Sequence, residues 1–359
     1  MTADLIDGAS DVRSGEELDA AVLDAYLAGE LDTWQDLDAP LQIEQFPSGY
    51  SNLTYLLRKG STELVLRRPP VAAQVRSGHD MGREFRVLSA LQGVYASAPR
   101  PLVYCADERV IGAPFYVMER RRGLVLRKVL PERLAGDPEL MRRMCLALVD
   151  NLAELHAVDV AAAGLESLGK PEGYVRRQVE GWIARWHKAK TDEVPEIDTI
   201  AAWLVEHMPV DGDATLVHND YKFDNVMLDP ADPTHIVAVL DWELCTRGDP
   251  LMDLGTTLGY WVEAQDHPAL QTMAFGPTTA PGALRRSELA ARYAEKTGRD
   301  VSNMVYYYCF ALLKIAVIVQ QIFYRYRKGF TRDPRFARLD VVVSALGRAA
   351  VEAAEMGRT

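Results

Sequence analysis

The sequence HNDYKFDN occupies residues 218–225, and VLDWE follows at residues 239–243. The carboxylate of Asp220 lies five residues before the amide side chain of Asn225. A second carboxylate, that of Asp241, ends the apolar run that follows. A carboxylate can orient a hydroxyl nucleophile and accept its proton, and Mg²⁺ prefers carboxylate and amide oxygens as ligands. The spacing therefore predicts a phosphoryl-transfer site, in which Asp220 is catalytic and Asn225 and Asp241 hold Mg²⁺ against the phosphates of ATP.

The residues around the motif predict a β-hairpin. Apolar, β-prone runs at 226–228 and 236–240 are separated by the turn-forming residues 229–233. Such a hairpin would bring Asn225 and Asp241 together in space. The alternative is that these polar residues are ordinary turn formers, but all three roles fall at the right spacing in the right strand order.

The motif resembles that of the aminoglycoside phosphotransferase and choline kinase group, which shares the protein-kinase-like fold. The three polar residues named above match the catalytic Asp and the two metal ligands of that group, and the resemblance covers roughly residues 40–350. Residues 45–52 and 64–70 are similar, more narrowly, to a bacterial branch related to the kinase-like domain that precedes acyl-CoA dehydrogenase domains in some larger proteins. The resemblance implies an α+β class, with a bilobal fold made of a β-rich N-lobe and a helical C-lobe.

The chain divides into three predicted parts. Residues 1–40 form an acidic N-terminal segment with a helix, residues 41–119 an N-lobe with an antiparallel sheet and a helix, and residues 120–359 a helical C-lobe with the catalytic and metal-binding loops. The apolar run 304–319, broken by Lys314, is shorter than the ~20 residues that span a bilayer. It therefore predicts a buried helix of the C-lobe, not a membrane segment.

The strand expected at residues 62–67 bears on nucleotide binding. Alternation places Val65 and Arg67 on one face of this strand. In the resembled family, a lysine at this place contacts the α- and β-phosphates and pairs with a helix glutamate, which here corresponds to Glu84. Arg67 is a departure that keeps the positive charge and adds bidentate geometry, and Arg68 is the alternative for the same role.

Other parts of the N-lobe complete the expected nucleotide site. Residues 48–52 match the phosphate-covering loop of kinases, although they contain one glycine and could also form a plain hairpin turn. Main-chain NH groups would bind phosphate there, together with the side chains of Ser48, Ser51 and Asn52. The strand 115–119 should be the hinge, where backbone groups around Glu119 read the adenine edge and Val65 lies above the base.

Three further C-lobe residues are expected to support the catalytic loop. His156 ends a long amphipathic run and is interpreted as a core histidine, not a catalytic group. Asp249 and Asp253 follow the metal-binding strand, and we expect them to hold the catalytic loop by hydrogen bonds and to cap the next helix.

Charge and composition limit the partners. The formal net charge is −11, but residues 1–40 hold eleven acidic residues and one basic residue, so the rest is nearly neutral. This distribution leaves anionic substrates open and argues against nucleic-acid binding, which favours a basic stripe. The first residues lack a basic start and an apolar core, so no signal peptide is expected and the predicted compartment is the cytoplasm.

These observations predict an ATP-dependent small-molecule kinase that phosphorylates a hydroxyl group. The partner is a small-molecule hydroxyl acceptor, and an apolar or anionic one is favoured, because Glu263 and Asp266 are the nearest approach to an acidic cluster outside the N-terminal segment. A hydroxy acid or a hydroxyacyl thioester is suggested by resemblance only. The alternatives are an antibiotic-inactivating kinase of the aminoglycoside type and a nucleotide-binding regulatory module without turnover, which Arg67 and the glycine-poor loop would favour.

Overall fold

The computed structural model describes most of the chain, namely residues 8–35, 38–47, 52–70 and 80–359. Two compact units are present. The first comprises Met1–Val125, Ala163–Leu165 and Met227–Cys245, and the second comprises Leu126–Ala162, Glu166–Val226 and Thr246–Thr359. The first is rich in β-strands and the second is mainly helical, so the predicted fold class is confirmed. Residues 227–245 group with the first unit, whereas the predicted C-lobe of residues 120–359 included them.

The first unit is built on an antiparallel sheet. In the described residues its five strands are β1 (Gln42–Gln45), β2 (Leu53–Lys59), β3 (Thr62–Arg68), β4 (Pro101–Cys105) and β5 (Phe115–Glu119). Their order in the sheet is β1-β2-β3-β5-β4. The sequence analysis missed β4, which lies at one edge of the sheet as described and pairs with β5.

The N-terminal segment belongs to the core of the first unit. The helices of this unit are α1 (Ala20–Glu30), α2 (Asp32–Gln35), α3 (Met81–Ala90) and α4 (Glu108–Ile111). Leu23, Leu27 and Trp34 pack in one buried cluster with Leu64 and Leu66 of β3. Burial of these side chains stabilises the unit by the hydrophobic effect, so the expected acidic segment is an integral layer of the sheet domain.

The second unit is organised around one long helix. Its helices are α5 (Pro138–His156), α6 (Tyr174–Ala189), α7 (Pro195–Glu206), α8 (Pro250–Tyr260), α9 (Pro268–Thr272), α10 (Arg286–Thr297), α11 (Met304–Arg327) and α12 (Leu339–Met356). The long helix α11 packs against α6, α7, α8 and α12. By length and composition α11 could cross a membrane, but 78% of its most apolar window is buried inside the fold. This matches the buried helix that the sequence predicted.

Close packing of α8 on α11 depends on a glycine. A Cβ atom at Gly255 would lie 2.6 Å from the carbonyl oxygen of Tyr307, which is closer than side-chain carbons approach. The missing side chain therefore lets the two helices approach, and Asp253 of α8 contacts the backbone of His218 and Asn219.

Short strands lie on both sides of the predicted catalytic loop, and another pair precedes the predicted metal ligand Asp241. In the second unit, β6 (Thr215–Val217) pairs antiparallel with β9 (Thr246–Gly248). The predicted hairpin is present as a two-stranded sheet of β7 (Val226–Leu228) and β8 (Ile236–Val239). Asn225 belongs to the second unit and directly precedes β7. Asp241 belongs to the first unit and follows β8.

Candidate active site

The loop between β6 and β7 is anchored by α8. Asp253, which is fully buried, accepts hydrogen bonds from the backbone NH groups of His218 at 2.6 Å and Asn219 at 2.7 Å. It also accepts one from Nε2 of His156 at 3.1 Å. Burial opposes ionisation of Asp253, but the hydrogen bond from His156 and the loop donors lower its pKa. Asp253 therefore holds the loop as the sequence predicted, while Asp249 caps α8.

Three donors of the same unit converge on the carboxylate of Asp220. The Lys222 amine and the Asn225 amide both donate to its Oδ2 atom, the amide at 2.7 Å. Burial, followed by the charge of Asp220 and a hydrogen bond to it, raises the pKa of Tyr260 well above its usual value. Because the amide nitrogen of Asn225 is turned to Asp220, its amide oxygen is the atom that could bind a cation.

Lys222 is a functional candidate that the sequence analysis did not single out. Its amine pairs with Asp220 and, at 3.6 Å, with Asp224. It also lies over the rings of Tyr260 and Phe275, at 4.9 and 5.6 Å from their centroids. Burial raises the pKa of Asp224 to about 6, although the Lys222 cation opposes this rise. The sequence did contain a signal for this role, because Lys222 is the single lysine in a motif of acidic and amide residues.

Arg67 lies in a buried charged group of the first unit. Its Nη2 atom donates to Asp241 at 2.9 Å, and its Nε atom is 3.6 Å from Glu84. Glu84 also accepts from the hydroxyl of Tyr116 at 2.9 Å. Burial opposes the charge of Arg67, but the carboxylates of Glu84 and Asp241 hold its pKa well above the usual value. The predicted pair of Arg67 and Glu84 therefore forms, and Asp241 joins it.

The side chains of β3 alternate as predicted. Val65 and Arg67 are both buried on the face opposite the α1 cluster. Arg68 points to the other face and donates to the carbonyl oxygen of Ile111 at 2.8 Å. Burial lowers the pKa of Arg68. Arg67, and not its alternative Arg68, is thus the arginine that meets the carboxylates.

Asn52 has a different environment from the one expected. Its side-chain amide donates to Glu84 at 3.2 Å and to Glu243 at 2.9 Å, so it bridges two carboxylates. The sequence predicted a phosphate contact for this side chain. Ser48 and Ser51, predicted for the same role, lie outside the described residues.

The segment that carries Asp241 has a fixed turn. Asp241 adopts the left-handed conformation at φ 64° and precedes the 3-10 turn Trp242–Leu244. Arg83 of α3 donates to the carbonyl oxygens of Glu243, at 3.0 Å, and of Cys245. A left-handed residue other than glycine is uncommon and costs backbone energy, so these contacts over-determine the conformation of the segment.

Glu119 ends β5 and is bound to its neighbours. Its backbone NH donates to the carbonyl oxygen of Arg100 at 2.9 Å. Its carboxylate accepts from the backbone NH of Arg100 at 2.9 Å and from Arg121 at 2.6 Å. Since the backbone NH of Glu119 is already hydrogen-bonded to Arg100, the predicted adenine contact would have to come from neighbouring backbone groups.

A mostly apolar pocket of the second unit borders on Tyr260. Its wall includes Trp261, Leu270, Met273, Phe275, Leu312 and Ile315. Arg286 also lines it, but this cation is paired with Asp266, and its backbone NH donates to Glu263 at 2.6 Å. The two acidic residues singled out in the sequence are therefore engaged by Arg286.

Oxygen ligands suited to Mg²⁺ are present in both units. Asp241 lies in the first unit, and Asn225 and Asp224 lie in the second. These oxygens fit Mg²⁺ by their chemistry. No group of three or more His, Cys, Asp or Glu side chains that could hold a metal occurs in the described stretches.

Comparison with known proteins identifies relatives over most of the chain. The phosphotransferase enzyme family matches residues 42–289. Acyl-CoA dehydrogenase family member 11 of Rattus norvegicus is 33% identical over 92% of this chain and 42% of its own length. Member 10 of Mus musculus is 32% identical over 89% of this chain and 29% of its own length. The chain thus spans less than half of these relatives, and their names describe much longer proteins.

Solved structures show the same fold. A Ralstonia eutropha protein provisionally named an aminoglycoside phosphotransferase is 29% identical, with a TM-score of 0.79 over 95% of this chain and 99% of its own. Choline kinase from Cryptosporidium parvum is 12% identical, with a TM-score of 0.63 over 94% and 96% of the two chains, and shows likeness of fold alone. Because the family match covers more than half of the residues, this chain belongs to the phosphotransferase enzyme family.

Proposed function

We propose that the protein is a small-molecule kinase that transfers the γ-phosphoryl group of ATP to a hydroxyl group. The observation that carries the proposal is the convergence of Lys222, Asn225 and Tyr260 on the carboxylate of Asp220, in a loop held by the buried Asp253. An acceptor hydroxyl placed at this carboxylate would meet a proton acceptor that is already positioned.

The proposed reaction is an in-line displacement. The acceptor oxygen forms a bond to the γ-phosphorus, the bond from that phosphorus to the bridging oxygen of ADP breaks, and Asp220 accepts the hydroxyl proton. Lys222 places a positive charge beside Asp220. Positioning and charge neutralisation would supply most of the rate enhancement.

The nucleotide side of the proposal rests on the sequence motif and on the buried arginine. Mg²⁺ neutralises phosphate charge when it is bound, and Asn225 and Asp241 are the proposed ligands. Arg67, fixed by Glu84, would contact the phosphate chain. An aminoglycoside phosphotransferase of the same fold, 15% identical, was solved with AMP-PNP and hygromycin B, which supports ATP as the donor.

The pocket supports an acceptor with an apolar body. Tyr260 both lines this pocket and shares a hydrogen bond with Asp220, so a small apolar group of the acceptor bound there would lie near the reacting hydroxyl. We therefore favour a hydroxy acid or a hydroxyacyl thioester over an amino alcohol. The free volume of the pocket is about 20 Å³, which is room for one small apolar group, and burial of one CH₂ group there should lower KM by up to about fourfold, from about 0.8 kcal/mol of transfer free energy.

The aminoglycoside alternative is disfavoured by charge. A polycation needs accessible carboxylates, but Asp266 at this pocket is paired with Arg286, and the nearby Glu263 accepts from the backbone NH of Arg286. The regulatory alternative is favoured by the pairing of Arg67 with Asp241, which would compete with a metal ion for that carboxylate.

A substrate screen with one variant tests the proposal. ATP consumption is measured with Mg²⁺ over hydroxy acids of increasing chain length, their CoA esters, amino alcohols and aminoglycosides. Asp220→Asn should bind MgATP within a few fold of the wild type, while turnover falls by roughly 10²-fold or more, the scale of losing a positioned base. Thermal shifts with MgATP and with metal-free ATP test the metal ligands, and MgATP should stabilise the protein more.

Each part of the proposal can fail separately. Full activity of Asp220→Asn would remove this residue as the base. Absence of any turnover by the wild type, together with MgATP binding, would favour the regulatory module. Faster turnover of aminoglycosides than of hydroxy acids would overturn the acceptor class.

A further inference from the structure

A buried lysine interrupts the most apolar helix of the protein. Lys314 lies near the middle of α11 and is 4% exposed, with apolar neighbours along the helix from Ala311 to Val317. Burial of a cation is costly unless it is paired or hydrogen-bonded. Burial lowers the pKa of Lys314 to about 8. A methionine would fill similar space without this cost, so the stability of α11 gives no reason for an amine here.

The amine of Lys314 reaches the catalytic loop. It donates to the carbonyl oxygen of Asn219 at 2.7 Å, and Asn219 directly precedes Asp220. Asn219 adopts a left-handed conformation at φ 66°. Its backbone NH donates to Asp253, and its side-chain oxygen accepts from the hydroxyl of Tyr174 at 2.9 Å. Asn219 is therefore held at three points, and Lys314 holds the carbonyl oxygen of the peptide group that leads into Asp220.

The charges around Lys314 belong to the same site. The carboxylates of Asp220 and Asp253 favour its protonated form, and the amine of Lys222 opposes it. The lysine thus brings a buried positive charge close to the proposed base, in an interior where charges interact more strongly than in water.

We propose that Lys314 is a positioning residue for phosphoryl transfer, which fixes the strained Asn219 peptide and thereby the direction of the Asp220 carboxylate. The inference rests on the proposed function, and it adds a residue from a distant helix to the catalytic loop. Lys314 acts through Asn219, and its removal should affect turnover more than nucleotide binding.

The first test compares two variants of α11. Lys314→Met should lower kcat roughly ten- to hundredfold, the scale of one charge-assisted hydrogen bond. Its Kd for MgATP should stay within a few fold, and its unfolding midpoint should equal or exceed that of the wild type. Gln320→Leu is the matched control, because Gln320 is also buried and donates to a carbonyl oxygen, that of Ala189 at 2.9 Å. This control should lower the midpoint and leave kcat unchanged.

A second readout does not depend on an acceptor. Hydrogen exchange of the amides in residues 218–222 should become faster in Lys314→Met and stay unchanged in Gln320→Leu. Unchanged exchange, or a kcat equal to that of the wild type, would overturn the role of Lys314. Absence of turnover in the wild type would reject the kinase proposal instead, and the exchange data would still decide whether Lys314 positions the loop.

Discussion

The pair formed by Arg67 and Glu84 offers the sharpest test of the first unit. The Arg67 side chain is 9% exposed and that of Glu84 is 2% exposed. Arg67→Met would leave Glu84 with hydrogen bonds from Tyr116 and Asn52 but without its nearest cation. Loss of one partner of a buried ion pair costs roughly 3–5 kcal/mol, because the remaining charge stays buried. Asp241 adds little to this loss, since its side chain is 29% exposed and solvent screens it.

The assay is urea-induced unfolding of the wild type and three variants. We expect the free energy of unfolding to fall by about 3–5 kcal/mol in Arg67→Met. Addition of Glu84→Gln should recover about half of this loss or more, because the neutral amide retains hydrogen bonding and removes the uncompensated charge. Arg68→Met is the matched control, and it should cost only about 1–2 kcal/mol, since Arg68 bonds to a neutral carbonyl group.

Two results would refute this reasoning about the buried pair. An equal loss in Arg67→Met and Arg68→Met would show that the carboxylates do not determine the effect. A double variant no more stable than Arg67→Met would show that Glu84 is not the group left uncompensated.

Three further predictions concern the second unit. The folded-state pKa of Lys314, about 8, lies below its usual 10.5. At a pH between these two values, Lys314 is therefore protonated in the unfolded chain and neutral in the folded chain. The free energy of unfolding of the wild type relative to Lys314→Met should therefore rise between pH 8 and 10.5, by up to about 1.4 kcal/mol per pH unit. Burial raises the folded-state pKa of Asp224 from 3.8 to about 6. The free energy of unfolding of the wild type relative to Asp224→Asn should therefore fall as pH rises from 4 to 6 and then level off. A difference between the two free energies that does not change with pH would contradict this. Gly255→Ala should lower the thermal midpoint by several degrees, because its Cβ would collide with the carbonyl oxygen of Tyr307. Gly298→Ala is the control: its Cβ would have no neighbour within 4 Å, so it would report only the strain of a left-handed backbone.

Local sequence patterns determined the elements that carry the site. The spacing of Asp220 and Asn225 predicted a loop in which the structure places their side chains 2.7 Å apart. Alternation along β3 favoured Arg67 over its alternative Arg68 as the partner of Glu84, and the structure pairs Arg67 with Glu84. Both inferences succeeded because turns and strands have fixed local periods, which can be read from consecutive residues. The catalytic and metal-binding roles of these residues stay predictions.

The tertiary structure decided which distant residues support those elements. Lys314 bonds to Asn219 across 95 positions, and Asn52 bonds to Glu243 across 191. The edge strand β4 and the packing of residues 8–35 were equally invisible in local patterns. Such partners are chosen by how helices and strands pack, and no sequence period links a buried amine to a carbonyl group on another element. The sequence alone therefore determined the family, the fold class and the motif, whereas the packing of α8, α11 and the sheet determined how the loop around Asp220 is held.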